Sequence, residues 1–305
     1  KKEIFNWLKE NIHEFDALFI SRPKNLKYLL PFLKQLTNRP KIIYDVEALN
    51  SLREISRLKL INSTPDDYEL LIKEELELID NADLLSCVSH YEMMLIQERL
   101  KKKSFFLSHY HKNRVTTNDF KSRNGLLFVG GFYSTPCPNI DALSYFLEYV
   151  FPIRTNSINI NLTIVGYKAK HLNLSIPSKY LDNVTIINNA RSLYKYYNEC
   201  KLTVIPTRIG AGISYKFTET LSYGTPTVTS RLIANQVISN NEFNGYDNPE
   251  DFANAVIKLY TDETSWLKNR ENSLQIITNN YSKSVLINEI DNLFEHLKVT
   301  QLNSI

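Results

Sequence analysis

A chain of 305 residues with 43% hydrophobic and 23% charged side chains can fill two ordinary domains, and its composition excludes a disordered or fibrous protein. Its formal charge of +3 is too slight to mark a nucleic-acid binder, although a local basic patch facing an anionic substrate or lipid stays open.

The first part alternates helices and strands. Ile4 to Ile12 reads as a helix, Ala17 to Ile20 as a short buried strand, Asn25 to Leu36 as a helix and Lys41 to Asp45 as a strand. Apolar positions recurring every three or four residues predict a helix from about Asp66 to Ile79. Leu84 to Val88 is the next strand. Ser89 then caps a helix through Arg99, with Glu92 three residues on, which is the spacing of a capping box. A strand near Ser104 to Leu107 closes this part. The polar segment Lys112 to Asn124 reads as an interdomain linker.

The second part repeats the alternation. Strands are expected at Leu126–Val129, Leu162–Val165, Val184–Ile187, Leu202–Ile205 and Thr227–Thr229, the last set off by Pro226. Helices are expected at Ile140–Phe151, Leu193–Asn198, Ile213–Tyr223 and Pro249–Tyr260, and a helical tail from Trp266 to Leu297. Strand–helix–strand units of this length imply parallel sheets covered on both faces, hence an α/β chain of two Rossmann-like domains. The boundaries expected are residues 1–115, residues 116–281 and a terminal helix, 282–305, bridging back to the first domain.

No apolar run reaches the roughly 18 residues of a membrane span; the closest, Tyr28 to Leu33, is broken by Pro31. The start shows no signal-peptide pattern. Cys87, Cys137 and Cys200 lie far apart without metal-ligand spacing and read as reduced thiols of a cytosolic protein. The sequence begins at Lys1 rather than Met, as a piece of something longer would.

Only 8 glycines occur, all from Gly125 onward, where average usage of about 7% would give roughly 21. Those of the second part fall at strand ends, where open parallel sheets bind ligands. Gly130 and Gly131 follow one strand, Gly166 the next, and Gly210 and Gly212 precede a helix. Exposed amides and a helix N-terminus there favour an anion such as a diphosphate. Arg208 and Lys216 bring two cations to the same place. Glu219 shares a helical face with Lys216 and could accept two ribose hydroxyls. On spacing alone, strand-ending glycines and a solvated Lys/Glu face explain the pattern equally well.

The ordered set Gly125-Leu126-Leu127-Phe128-Val129-Gly130-Gly131-Phe132, Pro138-Asn139, Leu162-Thr163-Ile164-Val165-Gly166, Pro206 to Ile213, Lys216, Glu219 and Tyr223 to Thr229 resembles the donor domain of the group 1 (family 4) retaining glycosyltransferases. It is most similar to the subgroup with a Pro-x-Arg-x-Gly-Ala-Gly-x-x-x-Lys-x-x-Glu signature. In the first part, Tyr44 to Glu54, Val88-Ser89-His90-Tyr91-Glu92 and Ser108-His109-Tyr110-His111 are similar to that subgroup's segments, with Glu47 and Asn50 standing where it has histidines. Ala211 replaces the first Glu of the wider family's Glu-x7-Glu motif, and Phe132 replaces an arginine.

The resemblance implies a GT-B fold, two Rossmann-like domains facing a cleft, with the opening strand of the first missing. It implies transfer of a sugar, with retention, from a nucleotide diphosphate sugar to a saccharide or lipid-linked acceptor. Arg208, Lys216, His111 and Arg53 are the catalytic candidates, the last two expected in the cleft. Gly130, Gly131, Gly210, Ala211, Gly212, Ile213 and Glu219 are the donor-binding candidates. The Asp-x-Asp of metal-dependent transferases is absent, so no metal or cofactor is expected beyond the donor substrate. The expected partners are donor and acceptor, with no nucleic acid; the expected location is the cytoplasm, with a peripheral contact at the inner membrane face left open. A non-catalytic nucleotide-sugar-binding module and an epimerase of the same fold are the alternatives. Arg53 could equally serve only as an ion-pair partner of Glu54 or Glu47, and Tyr194, Tyr196 and Tyr197 read as helix packing.

Overall fold

The computed structural model describes residues 2–62, 65–112, 114–133, 137–153, 158, 160–169, 182–237 and 243–302. Asn113 of the expected linker and the last three residues of the expected terminal helix lie outside that set. Contacts divide the chain into two compact units. The first is Lys1–Ser108 with Ala211–Ile213 and Asn288–Ile305; the second is His109–Gly210 with Ser214–Ile287.

The first unit runs α1 (Lys2–Asn11), β1 (Ala17–Ser21), α2 (Pro23–Leu33), β2 (Lys41–Val46), α3 (Asn50–Leu60), α4 (Pro65–Ile79), β3 (Leu84–Cys87), α5 (His90–Leu100) and β4 (Ser104–Phe106). Its four strands are parallel and lie in sequence order, β1-β2-β3-β4. β2 buries Ile42, Ile43, Tyr44 and Val46, the near-continuous apolar run of a strand covered on both faces. Leu26 and Leu33 of α2, Ile79 of α4 and Ile96 of α5 pack on that sheet. α2 starts on Pro23, where a missing N–H costs nothing.

The capping box expected at Ser89 does not form. Ser89 occupies the N-cap position of α5, but its hydroxyl makes no capping bond and has no partner among the described residues. The buried Glu92 carboxylate instead accepts the Leu49 amide (3.2 Å) and the Gly212 amide (2.5 Å). A buried carboxylate gains more from two charge-assisted bonds to otherwise unpaired amides than from its own helix end.

The second unit runs β5 (Leu126–Val129), α6 (Pro138–Tyr145), β6 (Leu162–Gly166), β7 (Val184–Asn188), α7 (Tyr194–Glu199), β8 (Leu202–Ile205), α8 (Tyr215–Ser222), β9 (Thr227–Thr229), α9 (Arg231–Ala234), α10 (Pro249–Thr261) and α11 (Glu263–Asn280); α12 (Lys283–Leu302) follows, its residues from Asn288 on grouping with the first unit. Its strands are parallel in the order β7-β6-β5-β8-β9. Phe128, Leu143, Phe146, Leu162, Ile164, Val204 and Phe252 form its main core.

Three expectations change here. The helix expected over Ile140–Phe151 is regular only to Tyr145, then widens into a π turn (Phe146–Val150) and a 3-10 turn (Phe151–Ile153). Pro152 lacks the N–H that would continue the ladder, and the irregular turns keep Phe146, Leu147, Val150 and Phe151 buried together. The single helical tail is two helices, α11 and α12, parted at Tyr281, which is buried and whose carbonyl accepts the His111 amide at 2.8 Å. The segment expected as a linker is packed. The amides of Arg114 and Thr116 donate to Ser222 and Tyr223 carbonyls, and buried Arg123 donates to the carbonyls of Asn118, Tyr197 and Cys200 and to the Thr116 hydroxyl. Buried Thr116 and Arg123 satisfy backbone carbonyls, while most of the segment's other polar residues face solvent.

Candidate functional site

The strand order of the second unit reverses between β5 and β8. Chain leaving β5 builds one side of the sheet through β6 and β7, whereas chain leaving β8 builds the other through β9. Such a switch point opens a crevice beyond the carboxyl ends of the two central strands. Those ends are Gly130-Gly131, after β5, and Thr207-Arg208, after β8.

The glycines are required by close approach. A Cβ on Gly166, at the end of β6, would stand 1.7 Å from the Gly130 carbonyl oxygen, and one on Gly130 would meet the Asn139 side chain at 3.0 Å. Gly212 has φ +70°, and a Cβ there would lie 2.3 Å from the Glu47 carbonyl oxygen, so only glycine fits. The helix expected from Ile213 begins two residues later, at Tyr215 behind Ser214. Ser214 has the extended backbone of an N-cap (φ −77°, ψ 104°) and donates its amide to Gln236 Oε1 at 2.9 Å, so the helical turn starts only after it. Gly210 ends a second-unit segment, while Ala211, Gly212 and Ile213 pack with the first unit. The Gly212 amide expected to face a phosphate is engaged by Glu92. Burial pushes the Glu92 carboxyl up to about 7, against the two amide bonds that favour its charged form.

α8 carries Lys216 and Glu219 on one face. The Lys216 ammonium donates to Asn139 Oδ1 at 2.7 Å and lies 5.4 Å from the Phe128 ring centre. It has no ion-pair partner among the described residues, and burial pulls it down to about 8. Glu219 accepts a long hydrogen bond from the Tyr197 hydroxyl, 3.4 Å. Burial raises the carboxyl, opposed by the Arg114 charge and by Tyr197. Tyr197 itself is fully buried and stacked on Tyr223, ring centres 4.4 Å apart, as packing predicts.

Arg208 is differently placed from Lys216. Its Nε and Nη2 donate to the two Asp141 carboxylate oxygens at 3.1 and 2.5 Å, and the guanidinium lies 4.5 Å from the Tyr145 ring centre. His111 is buried beside α8, with Nε2 2.7 Å from Thr218 Oγ1 and its ring 4.9 Å from that of Tyr215. Burial lowers it to about 4, so it is a neutral ring at physiological pH. Arg53 is an exposed residue of α3 in the first unit with no ion pair among the described residues. Glu54 pairs with Arg57 and Glu47 with Arg22, so neither expected neighbour holds it. Asn139 and Asp141, both on the first turn of α6, are the polar residues that residue-by-residue reading left without a role. The signal is their place just inside the Pro138 helix start, six and eight residues after the end of the Gly-Gly-Phe-Tyr stretch.

Residues 123–262 match the family model described as glycosyl transferases group 1. The solved structures similar to the chain share its fold at low identity. S. aureus TarM aligns with 95% of this chain at 15% identity and a TM-score of 0.68, the chain spanning 57% of TarM's length. Anabaena HepE, solved with UDP and glucose, aligns with 96% of the chain and 82% of its own at 13% identity and TM-score 0.66. A trehalose-6-phosphate structure from E. coli, bound with UDP-2-fluoro glucose, aligns with 94% and 75% at 14% identity and TM-score 0.63. The fold is GT-B. No curated protein sequence matches the chain. Within this GT-B chain the family match covers the reversing sheet and the helices that bear Asn139, Asp141, Lys216 and Glu219. Among the described residues, no helix is long and apolar enough to cross a membrane.

Proposed function

We propose that the chain is the nucleotide-sugar-binding and catalytic part of a group 1 glycosyltransferase, moving a sugar with retention from a nucleotide diphosphate donor to a saccharide or lipid-linked acceptor. The observation that carries this reading is Lys216. A half-buried ammonium without a countercharge among the described residues, at the switch point of a doubly wound sheet, is electrostatically incomplete until an anion arrives. Glu219, three residues along α8, supplies the carboxylate that ribose hydroxyls would meet. The GT-B neighbours HepE and E. coli trehalose-6-phosphate were solved with UDP and a UDP-sugar, which supports a nucleoside diphosphate as the ligand class.

Chemically, the protein's task is to position the donor and to stabilise the departing diphosphate. Lys216 meets the developing charge, so the reading needs no metal. His111 acts at one remove, fixing α8 through Thr218, and Arg53 remains the exposed cation for an anionic acceptor. Calorimetric titration with UDP, followed by incubation with UDP-glucose and UDP-N-acetylglucosamine and assay of UDP release, tests the reading. Binding with release supports a transferase. Binding with the donor recovered intact supports the non-catalytic binding module. No binding of either UDP or pyrophosphate overturns the donor site.

A further inference from the structure

The two cations at the switch point are held in opposite ways. Arg208 gives two bonds to the Asp141 carboxylate and is thereby neutralised. Lys216 gives its bond to an amide oxygen, Asn139 Oδ1 (2.7 Å), and Asn139 Nδ2 donates in turn to the Gly131 carbonyl (2.9 Å). An ammonium cannot accept and a carbonyl cannot donate, so this network fixes which end of the amide is which. The Asn139 amide carbon lies 3.0 Å from where a Gly130 Cβ would be. Among the described residues, the other surroundings of Lys216 are uncharged. Leu127, Phe128 and Val129 come from β5, Thr203, Val204 and Ile205 from β8, and Thr220 from its own helix. The titratable group acting on it is the Cys137 thiol, just before α6.

We propose that Asn139 is a positioning residue for the donor diphosphate: a neutral bridge that aims the Lys216 ammonium and fixes the Gly130–Gly131 turn while leaving the lysine's charge uncompensated, with Arg208 and Asp141 serving as a structural tie between β8 and α6. This rests on the donor-site reading above. A carboxylate at position 139 would hold the ammonium as well, but would cancel the charge the phosphate needs and repel both the phosphate and the Gly131 carbonyl. The bridge therefore has to be an amide. The Arg208 fork is already satisfied at the geometry a guanidinium prefers for a carboxylate, so it is the lesser phosphate ligand.

The test is calorimetric titration of UDP and of pyrophosphate between pH 6.5 and 9.5, with circular dichroism and melting to confirm folding. Unsubstituted protein should bind UDP with affinity falling above about pH 8, as Lys216 loses its proton. Asn139→Asp should weaken UDP binding at pH 7 by about tenfold or more and move the alkaline fall upward by about a unit or more, because an adjacent carboxylate favours the charged lysine. A merely structural role would lower affinity without moving that limb. Asn139→Ala, which keeps the helix, should weaken binding by about tenfold, and Arg208→Ala by less than about threefold. Wild-type affinity and pH profile in Asn139→Asp, or a loss in Arg208→Ala as large as in Lys216→Ala, would overturn the bridge while leaving the donor site standing. Failure of the unsubstituted chain to bind either probe overturns both.

Discussion

Both sheets are wholly parallel, yet they are wound differently. The first runs β1-β2-β3-β4 without reversal, and the second reverses between β5 and β8. Where strand order never reverses, successive right-handed crossovers lie on the same face of the sheet and no diverging loops open a crevice between central strands. At the ends of the first sheet Asp45 accepts the hydroxyls of Ser21 and Ser86 at 3.0 Å each, and Glu47 forms a solvent-exposed pair with Arg22 at 3.3 Å. Where the order reverses, the flanking loops diverge, and the second sheet keeps there an ammonium with no ion-pair partner among the described residues and a half-buried carboxylate that feels the Arg114 charge. Winding order decides where a crevice opens; in the first unit the buried Glu92 carboxylate is met by backbone amides.

The sharpest way to break that comparison is to crowd the reversal. Gly166→Ala places a methyl 1.7 Å from the Gly130 carbonyl oxygen, a backbone overlap that only chain movement relieves. We expect destabilisation of about 3 kcal/mol or more in urea unfolding; a loss below about 1 kcal/mol would show that the β5 and β6 ends are not held together as described.

Next in size is the location of the anion. Lys216→Ala should weaken UDP by about ten- to a hundredfold, the range for losing a charged hydrogen bond, whereas Arg53→Ala in the first unit should leave it within about twofold. The reverse outcome in calorimetry would move the nucleotide to the sheet that does not reverse. Glu219→Gln should cost about tenfold with UDP and less than about twofold with pyrophosphate, since only the nucleotide carries ribose hydroxyls; equal losses for both ligands would remove Glu219 from the ribose.

The smallest effect concerns stability without ligand. Lys216 titrates at about 8 in the fold against about 10.4 when unfolded, so between those values the unfolded chain binds more protons and stability rises with pH. Below about pH 8 its buried charge opposes folding. Lys216→Met should therefore raise the melting temperature of the unliganded protein by about 2 °C at pH 7, and the gain should shrink towards pH 10. A lower melting temperature would show that the Asn139 bond outweighs the burial of charge.

The strands of the second unit were legible almost residue for residue, because short β-branched runs bounded by Gly, Pro and Asn leave few alternatives. Glycine scarcity points to close backbone approach at Gly166, Gly212 and Gly245, where an added Cβ would overlap backbone, but not at Gly210, where it would meet nothing closer than 3.8 Å. What sequence could not show was pairing across distance. Arg208 and Lys216 look alike in the chain, and only folding reveals that one faces an aspartate and the other an amide. Glu92 likewise reads as half of a capping box, because local spacing knows nothing of Leu49 or Gly212. The π turn after Tyr145 was hidden because a widened turn retains helical periodicity over one or two residues.

Arg123 is nearly sealed from solvent, giving hydrogen bonds to three carbonyls and a hydroxyl, its guanidinium 5.1 Å from the Trp266 ring centre, and Arg270 donating to Thr116 and Gly224 carbonyls beside it. A protease sees in residues 114–124 a basic, loop-like target, but the bonds to be cut are pinned along much of their length. Trypsin should pass over Arg123 in the native protein. A fragment for expressing the second unit should begin at residue 109, ahead of His111 and Arg114, since starting at 116 would discard the His111–Tyr281 and Arg114–Ser222 backbone bonds that fasten the strand of chain leading into it.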